Sequence, residues 1–405
     1  MHRIKSFVLP VIVTISIFLG ISIASGQDQD AYYFNTDIIT GAERMDLYLS
    51  LLRNQSVAIV ANQTATVKGT HLVDTLLSLD VQIVKAFSPE HGFRGKMDAG
   101  EHVNNYVDEK TGIPIISLYG SNHKPQSHDL DGVDIVVFDI QDVGVRYYTY
   151  ISTLHYVMEA CAENGIPLLL LDRPNPNGFF VDGPIMEESY QSFVGLHPVP
   201  LVHGMTIAEY AKMINGQGWL ANEMKCKLIH ILCENYTHKD YYELPINPSP
   251  NLPNMASVYL YPSLGLFEGT MVSVGRGTEK PFQMIGHPTL SSGETEFKPI
   301  SMAGAKDPPY KGVVCKGHDL SGFGNRVIRN YGKIYLFWLT GTYRNSQENK
   351  ESFFNNYFNS LAGNAQLKEQ VIQGISEEDI RKSWSTGIST YKKVRKRYLL
   401  YPDFE

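Results

Sequence analysis

The chain has 405 residues, of which 43% are hydrophobic, and it carries a formal net charge of −7. This charge offers no basic field for nucleic acid, so we expect no nucleic-acid partner. Four cysteines are too few for a disulfide scaffold, and the chain is long enough to bury a core without one. Cys226 and Cys233 are the two that we consider for pairing.

The amino terminus has the layout of a secretory signal peptide. Basic residues precede an uncharged run over residues 6–23, and small residues follow at 24–26. We therefore predict a signal peptide over residues 1–26 and a secreted or periplasmic protein that leaves the membrane after cleavage. The alternative is an uncleaved anchor, because about 18 apolar residues nearly span a bilayer.

Unbroken apolar runs predict strands that are covered on both faces of a sheet. In chain order they lie at residues 57–61, 82–87, 113–118, 135–138, 167–171 and 227–232. Helical periodicity occurs between them, at 70–79, 150–164 and 207–215, and also before them at 37–53. This alternation is the pattern of a Rossmann-like α/β fold with a doubly wound, mostly parallel sheet.

A stretch dense in turn formers at 247–254 marks the predicted domain boundary. We assign residues 27–255 to the Rossmann-like domain and 256–405 to a smaller α+β carboxyl-terminal domain. In the carboxyl-terminal domain, the pattern of apolar residues predicts a strand at 334–339 and helices at 348–362, 365–374 and 375–394.

Ionisable groups concentrate where the second strand breaks into Ser88-Pro89-Glu90-His91-Gly92-Phe93-Arg94-Gly95. The proline ends the strand and the two glycines let the backbone fold back, so that Glu90, His91 and Arg94 converge. The alternative is a structural loop in which Glu90 and Arg94 form an ion pair and His91 caps the turn.

Polar residues also follow the other predicted strands. The carboxyl ends of parallel strands meet at one edge of a sheet, where open α/β sheets bind their ligands. The residues expected at this edge are Asn62, Glu90, Tyr119, Asp139, Asp142, Asp172 and Arg173. Each alone is an ordinary turn former, whereas their joint occurrence favours a site. The chain has no Gly-x-Gly-x-x-Gly motif, phosphate loop or Gly-x-Ser-x-Gly elbow, so we expect no nucleotide cofactor.

Six motifs together resemble the NamZ-type exo-β-N-acetylmuramidases, a family long catalogued as of unknown function. They occupy residues 88–95, 138–150, 172–176, 248–251, 266–270 and 275–278. The resemblance runs from about Val57 to the carboxyl end. It implies a glycosidase that releases N-acetylmuramic acid from the non-reducing ends of peptidoglycan fragments, with two domains meeting at a cleft. It also implies that Glu90, in the Glu-His-Gly motif, is catalytic.

Glycoside hydrolysis needs a proton donor and usually a second carboxylate. Glu90 is the predicted general acid/base. The second group stays open between Asp139 at the sheet edge, Asp142, and Glu268, which would face Glu90 from the other lobe. Assistance by the substrate's own acetamido group would need no protein nucleophile.

The lactyl carboxylate of N-acetylmuramic acid requires a fixed cation, and the fork of an arginine can bind both of its oxygens. Arg276 is our first choice, because glycines on both sides permit close approach. The full set of predicted substrate-binding residues is Asn62, His91, Arg94, Tyr119, Gln141, Asp142, Arg146, Arg173, Asn175, Asn251 and Arg276. The tyrosines at 147, 148 and 150 either stack on a sugar or pack the helix.

Two other functions fit parts of this pattern. An exported sugar- or muropeptide-binding protein would have the same two-lobed shape but would not need the Glu90 carboxylate for turnover. A metal-dependent hydrolase would use His91, His203, Asp139 and Asp142, but the chain lacks His-x-x-x-His and His-Glu-x-x-His spacing. We therefore predict no metal and no cofactor.

Overall fold

The computed structural model describes residues 34–90, 92–95, 105–120, 122–290, 293–324, 331–346 and 350–405. The predicted signal peptide and His91 lie outside these ranges, so both stay predictions. Residues 34–405 form one compact unit. Within the described ranges, no helix has both the length and the apolar character needed to cross a membrane.

The described residues contain strands, α-helices and short 3-10 helices. The strands are β1 (Val57–Ala61), β2 (Thr66–Val67), β3 (Thr70–His71), β4 (Ile83–Ser88), β5 (Tyr106–Val107), β6 (Pro114–Ser117), β7 (Ile135–Asp139), β8 (Leu168–Leu171), β9 (Leu228–Ile231), β10 (Met284–His287), β11 (Thr295–Phe297) and β12 (Cys315–Asp319). The α-helices are α1 (Leu49–Leu52), α2 (Leu72–Leu77), α3 (Tyr150–Asn164), α4 (Ile207–Gln217), α5 (Met255–Leu264), α6 (Ser321–Phe323), α7 (Phe337–Asn345), α8 (Phe358–Ala362), α9 (Gln366–Ile372) and α10 (Glu377–Arg395). The 3-10 helices are Gly41–Glu43, Met45–Leu47, Ser127–Leu130, Glu188–Tyr190, Ala221–Glu223 and Gly265–Gly269.

A large, mostly parallel sheet lies at the centre, as the apolar runs predicted. Its strand order is β5-β6-β4-β1-β7-β8-β9, and every pair is parallel except β5 with β6. Without β5, this is the order of a Rossmann sheet, whose topological switch point lies between β1 and β7. Such sheets bind ligands outside the carboxyl ends of their strands, close to that point.

Both faces of the sheet are covered, because side chains alternate between the faces along each strand. On β1, Ala58 and Val60 belong to one apolar cluster, which Leu154 of α3 and Ile214 of α4 join. The other face contributes Val57, Ile59 and Ala61 to a second cluster, which contains Leu72 and Leu76 of α2. The predicted strand and helix alternation is therefore confirmed.

The carboxyl-terminal part contains a three-stranded antiparallel sheet of order β10-β12-β11, together with α5 to α10. The predicted helices at 365–374 and 375–394 correspond to α9 and α10. Of the helix predicted at 348–362, the described part forms only α8.

Two other assignments are wrong. The segment 334–339 was predicted as a strand from its run of large apolar residues, but α7 begins within it at Phe337. The buried residues Trp338, Leu339, Thr342 and Tyr343 recur at helical spacing. Residues 37–53 form short 3-10 turns and the single turn α1 in place of one amphipathic helix.

Cys226 and Cys233, whose pairing the sequence left open, are not bonded to each other. All four cysteines are free and buried. The Sγ atom of Cys233 lies 3.2 Å from the backbone oxygen of Asp172, whereas Cys226 contacts Cys161.

Candidate active site

Glu90 lies at the carboxyl end of β4, where the chain turns sharply. The backbone N–H of Gly92 donates to the Pro89 oxygen at 3.1 Å. Gly92 has a φ of 77° and Gly95 a φ of 70°, in the left-handed region that side chains other than hydrogen disfavour. The predicted turn after β4 therefore forms.

Two hydroxyl groups hold the Glu90 carboxylate. Thr149 Oγ1 donates to Glu90 Oε2 at 3.1 Å, and the Tyr119 hydroxyl also bonds to Glu90. Burial and the Glu90 charge together raise the pKa of Tyr119, which keeps this hydroxyl protonated and able to donate. Thr149 is the N-cap residue of α3, and the amino terminus of a helix favours negative charge nearby.

Glu90 opens onto a pocket built from several segments, which we call the Glu90 pocket. Its lining residues come from the β4 loop, the start of α3, the turn at 249–252, α5 and the segment 276–282. They are Glu90, Tyr147, Tyr148, Thr149, Tyr150, Ser249, Asn251, Leu252, Tyr261, Arg276 and Phe282. Residues from both predicted domains therefore contribute to the pocket.

Arg276 is the cation of the Glu90 pocket. Its Nε and Nη2 atoms donate to Glu268 Oε1 at 3.0 and 2.7 Å, and its guanidinium lies over the Phe282 ring, 5.1 Å from the centroid. Burial lowers the pKa of Arg276, but the Glu268 carboxylate outweighs this and the net pKa is raised. A permanently charged guanidinium is therefore fixed in the pocket. Its contacts to Glu268 use Nε and Nη2 and do not involve Nη1.

Glu268 and Glu90 both lie close enough to Tyr357 for their charges to raise its pKa. Burial, then the charges of Glu268 and Glu90, raise the pKa of Tyr357 to about 12. The side chain of Glu268 keeps 24% of its exposure, so solvent and small ligands can reach it. Glu268 thus adjoins the Glu90 pocket through its bond to Arg276, although it is not one of the lining residues.

Asp139 and Arg173 are elsewhere. Arg173 Nε and Nη2 bond to Asp139 Oδ1 and Oδ2 at 2.5 and 2.9 Å, and Nη2 also donates to the Thr66 oxygen. The Asp139 side chain is completely buried. Burial raises the pKa of Asp139, and Arg173 opposes that shift. Because neither residue lines the Glu90 pocket, their predicted roles in catalysis and substrate binding have no geometric support.

Arg94 does not reach the substrate side of the turn either. It donates to Asp108 at 2.7 and 3.2 Å and to Asp74 at 3.2 Å. Hydrogen bonding to Asp108 is the main cause that raises the pKa of Arg94. Its guanidinium also lies 5.1 Å from the Phe93 ring centroid. Arg94 therefore clamps the turn after Glu90 and forms no ion pair with Glu90 itself.

Arg146 is a structural connector. It is fully buried, and its Nη1 and Nη2 atoms donate to four backbone oxygens, those of Pro184, Val199, Leu361 and Ala362. Burial lowers the pKa of Arg146 to about 10. The side chain joins two distant parts of the chain and is unsuited to binding a substrate.

Four further predicted residues are buried beneath the sheet edge. Asn62 accepts from Thr64, and Gln141 Nε2 donates to the oxygens of Asp142 and Pro174. Asp142 Oδ2 accepts from the Gly144 N–H at 2.6 Å, and Asn175 Nδ2 donates to the Met205 oxygen. All four order the loops after β1, β7 and β8. None of the four lines the Glu90 pocket.

Of the predicted residues, the structure therefore brings Glu90, Tyr119, Asn251 and Arg276 together, with Glu268 bound to Arg276. The sequence reasoning missed Thr149, Ser249, Tyr261 and Phe282. Thr149 had a signal, because threonine directly before a helical pattern is a favoured N-cap. Tyr148 and Tyr150, for which two uses were open, line the pocket and donate to the Pro248 oxygen at 2.8 and 3.3 Å.

In the part of the chain that the structure describes, no group of three or more His, Cys, Asp or Glu side chains is placed to hold a metal ion. His203 and Asp142 come within 3.6 Å of each other. Neither residue lines the Glu90 pocket.

Fold and site together define an α/β protein whose carboxylate pocket lies beside the switch point of its sheet. Residues 57–256 match the family Exo-beta-N-acetylmuramidase NamZ, N-terminal, and residues 259–401 match Exo-beta-N-acetylmuramidase NamZ, C-terminal. The chain therefore belongs to the NamZ exo-β-N-acetylmuramidase family.

Relatives from two organisms agree with this assignment. The chain is 39% identical over 374 residues to the peptidoglycan β-N-acetylmuramidase NamZ of Bacillus subtilis strain 168, covering 87% of this chain and 89% of that protein. A crystal structure of a DUF1343 family protein from Bacteroides fragilis NCTC 9343 superposes with a TM-score of 0.84 at 45% identity, covering 91% of this chain and 99% of that one. A second DUF1343 structure from the same organism gives 0.76 at 27% identity, with 90% and 99% coverage.

Proposed function

We propose that this protein is an exo-acting glycoside hydrolase that releases N-acetylmuramic acid from the non-reducing ends of peptidoglycan fragments, with Glu90 as general acid/base. One observation carries the role of Glu90: its carboxylate is held by the hydroxyls of Thr149 and Tyr119 in a pocket that also contains a fixed guanidinium. Membership of the NamZ family and the activity named for the Bacillus subtilis relative support the substrate class.

Glu90 protonates the glycosidic oxygen while the bond from that oxygen to the sugar breaks. The carboxylate that results accepts hydrogen bonds from Thr149 and Tyr119, and the amino terminus of α3 favours its charge. These two donors orient the Glu90 carboxylate in the pocket.

Glu268 is our choice for the second carboxylate. Arg276 binds its Oε1 atom and so would position the carboxylate to act as a nucleophile or a base. Asp142 is buried and accepts from the Gly144 N–H, and Asp139 is bound through both oxygens by Arg173. Assistance by the acetamido group of the substrate is the alternative in which Glu268 would only hold Arg276 in place.

Arg276 reads the lactyl carboxylate that distinguishes N-acetylmuramic acid from N-acetylglucosamine. Its Nε and Nη2 edge is occupied by Glu268, so the contact would use Nη1. A guanidinium binds a carboxylate more specifically than an ammonium does, because its donors are fixed in one plane.

The compartment and the domain division belong to the same proposal. Export by a signal peptide over residues 1–26 would bring the enzyme to peptidoglycan fragments outside the cytoplasm. Residues 27–255 would act as a Rossmann-like domain and 256–405 as a smaller α+β domain, each supplying one side of the Glu90 pocket.

The test is incubation of the purified mature protein with a chromogenic β-N-acetylmuraminide and with the matching β-N-acetylglucosaminide. We expect turnover of the muraminide only, and no loss of activity with a chelator present. Binding of the muraminide without turnover would favour the non-catalytic sugar-binding alternative. Equal turnover of both glycosides would remove the proposed specificity, and loss of activity with the chelator would favour a metal-dependent hydrolase.

A further inference from the structure

Four aromatic rings form a cluster beside Glu90, and we call them the aromatic platform: Tyr119, His123, Tyr156 and Phe193. His123 and Phe193 stack with centroids 3.9 Å apart and planes 19° from parallel. The Tyr156 ring is within 19° of parallel to both, at 6.3 and 6.4 Å. Three rings therefore share one orientation.

The platform begins at the candidate catalytic residue. Tyr119, whose hydroxyl bonds to Glu90, has its ring 6.4 Å from the rings of both His123 and Phe193. Burial lowers the pKa of His123, and the nearby Glu90 charge opposes this shift. The aromatic surface is thus continuous with the carboxylate that would cleave the glycosidic bond.

One face of α3 joins the platform to Glu90. Thr149, Ser152 and Tyr156 are spaced i, i+3 and i+7, so they lie on the same side of the helix. Thr149 donates to Glu90, and Ser152 Oγ donates to the Phe193 oxygen at 2.7 Å. At 1.5 Å rise per residue, Tyr156 lies ~10 Å along the helix from Thr149.

These rings differ from the aromatic side chains that only fill the core. All four rings of the platform are half-buried, which leaves part of each ring accessible. Phe353 and Phe358, by contrast, are fully buried in the main apolar cluster. The accessible part of the platform therefore offers an apolar contact to a ligand.

We propose that the aromatic platform binds the sugar on the leaving-group side of the scissile bond, an N-acetylhexosamine of the glycan chain. This inference rests on the proposed function. Arg276 and Glu268, which would hold the N-acetylmuramic acid, do not belong to the platform, so the two sugars would occupy different walls around Glu90. An aromatic ring packs well against the apolar C–H face of a pyranose.

The experiment compares two substrates that share N-acetylmuramic acid but differ in the leaving group. One is the disaccharide N-acetylmuramyl-β-1,4-N-acetylglucosamine, and the other is N-acetylmuraminyl β-fluoride, whose leaving group is too small to reach the platform. Steady-state kcat/KM is measured for wild type, Phe193→Leu and Tyr156→Leu. Phe337→Leu serves as the control, because Phe337 is 63% exposed and outside the platform.

We expect Phe193→Leu and Tyr156→Leu to lower kcat/KM on the disaccharide about tenfold more than on the fluoride, mainly through KM, and Phe337→Leu to lower neither. Tyr156→Phe, which keeps the ring, should restore most of the disaccharide activity. Equal losses on both substrates, or no selective loss in either variant, would overturn the proposal that the platform binds the leaving-group sugar.

A variant that fails to fold is replaced by a measurement on wild type. Methyl N-acetylglucosaminide should inhibit hydrolysis of the disaccharide by competing with its leaving-group sugar for the platform, and it should inhibit fluoride hydrolysis much less. Equal inhibition of both reactions, or no inhibition of disaccharide hydrolysis at high concentration, would overturn the proposal. If wild type cleaves neither substrate, the proposed function itself has failed, which is distinguishable from a failure of the platform alone.

Discussion

Two acidic residues lie at the carboxyl edge of the same sheet, and their surroundings differ. Glu90 follows β4, is half-buried and is held by two neutral hydroxyls. Asp139 ends β7, is fully buried and is bound through both oxygens by Arg173. An acid after a buried strand is thus only a candidate for function. The two acids differ in their partners and in their access to the pocket: a guanidinium binds both oxygens of the buried Asp139, whereas hydroxyl donors hold Glu90 in a pocket that a substrate can enter.

The difference between the two acids is tested most directly by a substitution at Glu90. Glu90→Gln keeps the size and much of the hydrogen bonding but removes the transferable proton. We expect turnover of the disaccharide to fall by roughly 10²–10⁴-fold, the range for lost general acid catalysis. Kinetics on the disaccharide and on an aryl glycoside test this, with the folded state checked by circular dichroism.

The aryl glycoside is the control, since its phenol leaving group needs little protonation and its loss should be smaller. An equal loss on both substrates would assign Glu90 to a nucleophilic or positioning role. Full activity on the disaccharide would remove Glu90 from the mechanism.

The same change at the other acid should affect stability. Asp139→Asn leaves the buried Arg173 without its counter-ion, and breaking a buried pair costs about 3–5 kcal/mol of unfolding free energy. Urea unfolding measures this, while kcat of the folded fraction should stay close to that of wild type. Replacing both residues together, as Asp139→Leu with Arg173→Met, should recover much of the loss. A stable but inactive Asp139→Asn protein would place Asp139 in catalysis after all.

Much of this architecture could be predicted from the sequence because its signals are local. Apolar runs identified the strands of the large sheet, and Pro89 with the glycines at 92 and 95 identified the turn that carries Glu90. The contacts that separate the two acids are not local. Thr149 is 59 positions from Glu90, and Arg173 is 34 positions from Asp139. No periodicity in the chain encodes which acid meets a hydroxyl and which meets a guanidinium.

The wrong assignments have a similar cause. The segment from Ile334 to Leu339 is rich in large apolar residues, which strands and buried helices both use, and only the packing of α7 decides between them. Arg94, Arg146 and Arg173 matched the chemistry of a carboxylate site as well as Arg276 did. In the fold these three arginines are bound by other groups: Arg94 by two carboxylates, Arg146 by four backbone carbonyls and Arg173 by the buried Asp139.

The turn that carries Glu90 is also supported by a buried histidine, which makes its stability depend on pH. Burial lowers the pKa of His71 to about 4. Its Nε2 contacts the Asn62 oxygen at 3.0 Å, and its ring packs against Phe93, 4.7 Å between centroids. The unfolded chain takes up a proton near the ordinary value of 6.5, so stability is complete above that pH and is lost as the pH falls toward 4.

A shift of this size corresponds to at most about 3 kcal/mol. The measurement is urea unfolding at pH 7.5 and 4.5 for wild type and His71→Gln, because the variant cannot bind the proton. The pH dependence of wild type should exceed that of the variant. Asp172, whose pKa burial raises to about 6, acts in the opposite direction in both proteins and cancels in the difference. Identical pH dependence in the two would contradict a buried neutral His71.

A similar test separates Arg276, which lines the Glu90 pocket, from Arg94, which does not. Arg276→Lys replaces a planar fork by a point charge, and losing a charge-assisted contact costs on the order of 1.5–3 kcal/mol. We expect kcat/KM to fall more on the muraminide than on any residual glucosaminide cleavage. Arg94→Lys, at a cation outside the Glu90 pocket, is the matched control and should show no such preference. An equal loss on both glycosides would mean that Arg276 only holds Glu268 in place.

The smallest expected effect is at Thr149, and it tests whether hydroxyl donors are what distinguishes Glu90 from Asp139. Thr149→Val keeps the shape of the side chain but removes the 3.1 Å hydrogen bond to Glu90, and one such bond contributes about 0.5–1.5 kcal/mol. We expect kcat/KM on the disaccharide to fall about two- to tenfold, and the pH–rate profile to shift because the carboxylate loses a donor. Thr149→Ser should restore both. Thr153→Val, one turn further along α3 with its hydroxyl on the Thr149 oxygen, controls for the loss of a threonine hydroxyl from this helix and should leave the profile unshifted. A Thr149→Val enzyme with lower activity but an unshifted profile would show that Thr149 supports only the start of α3, and its hydroxyl would then not be what distinguishes the two acids.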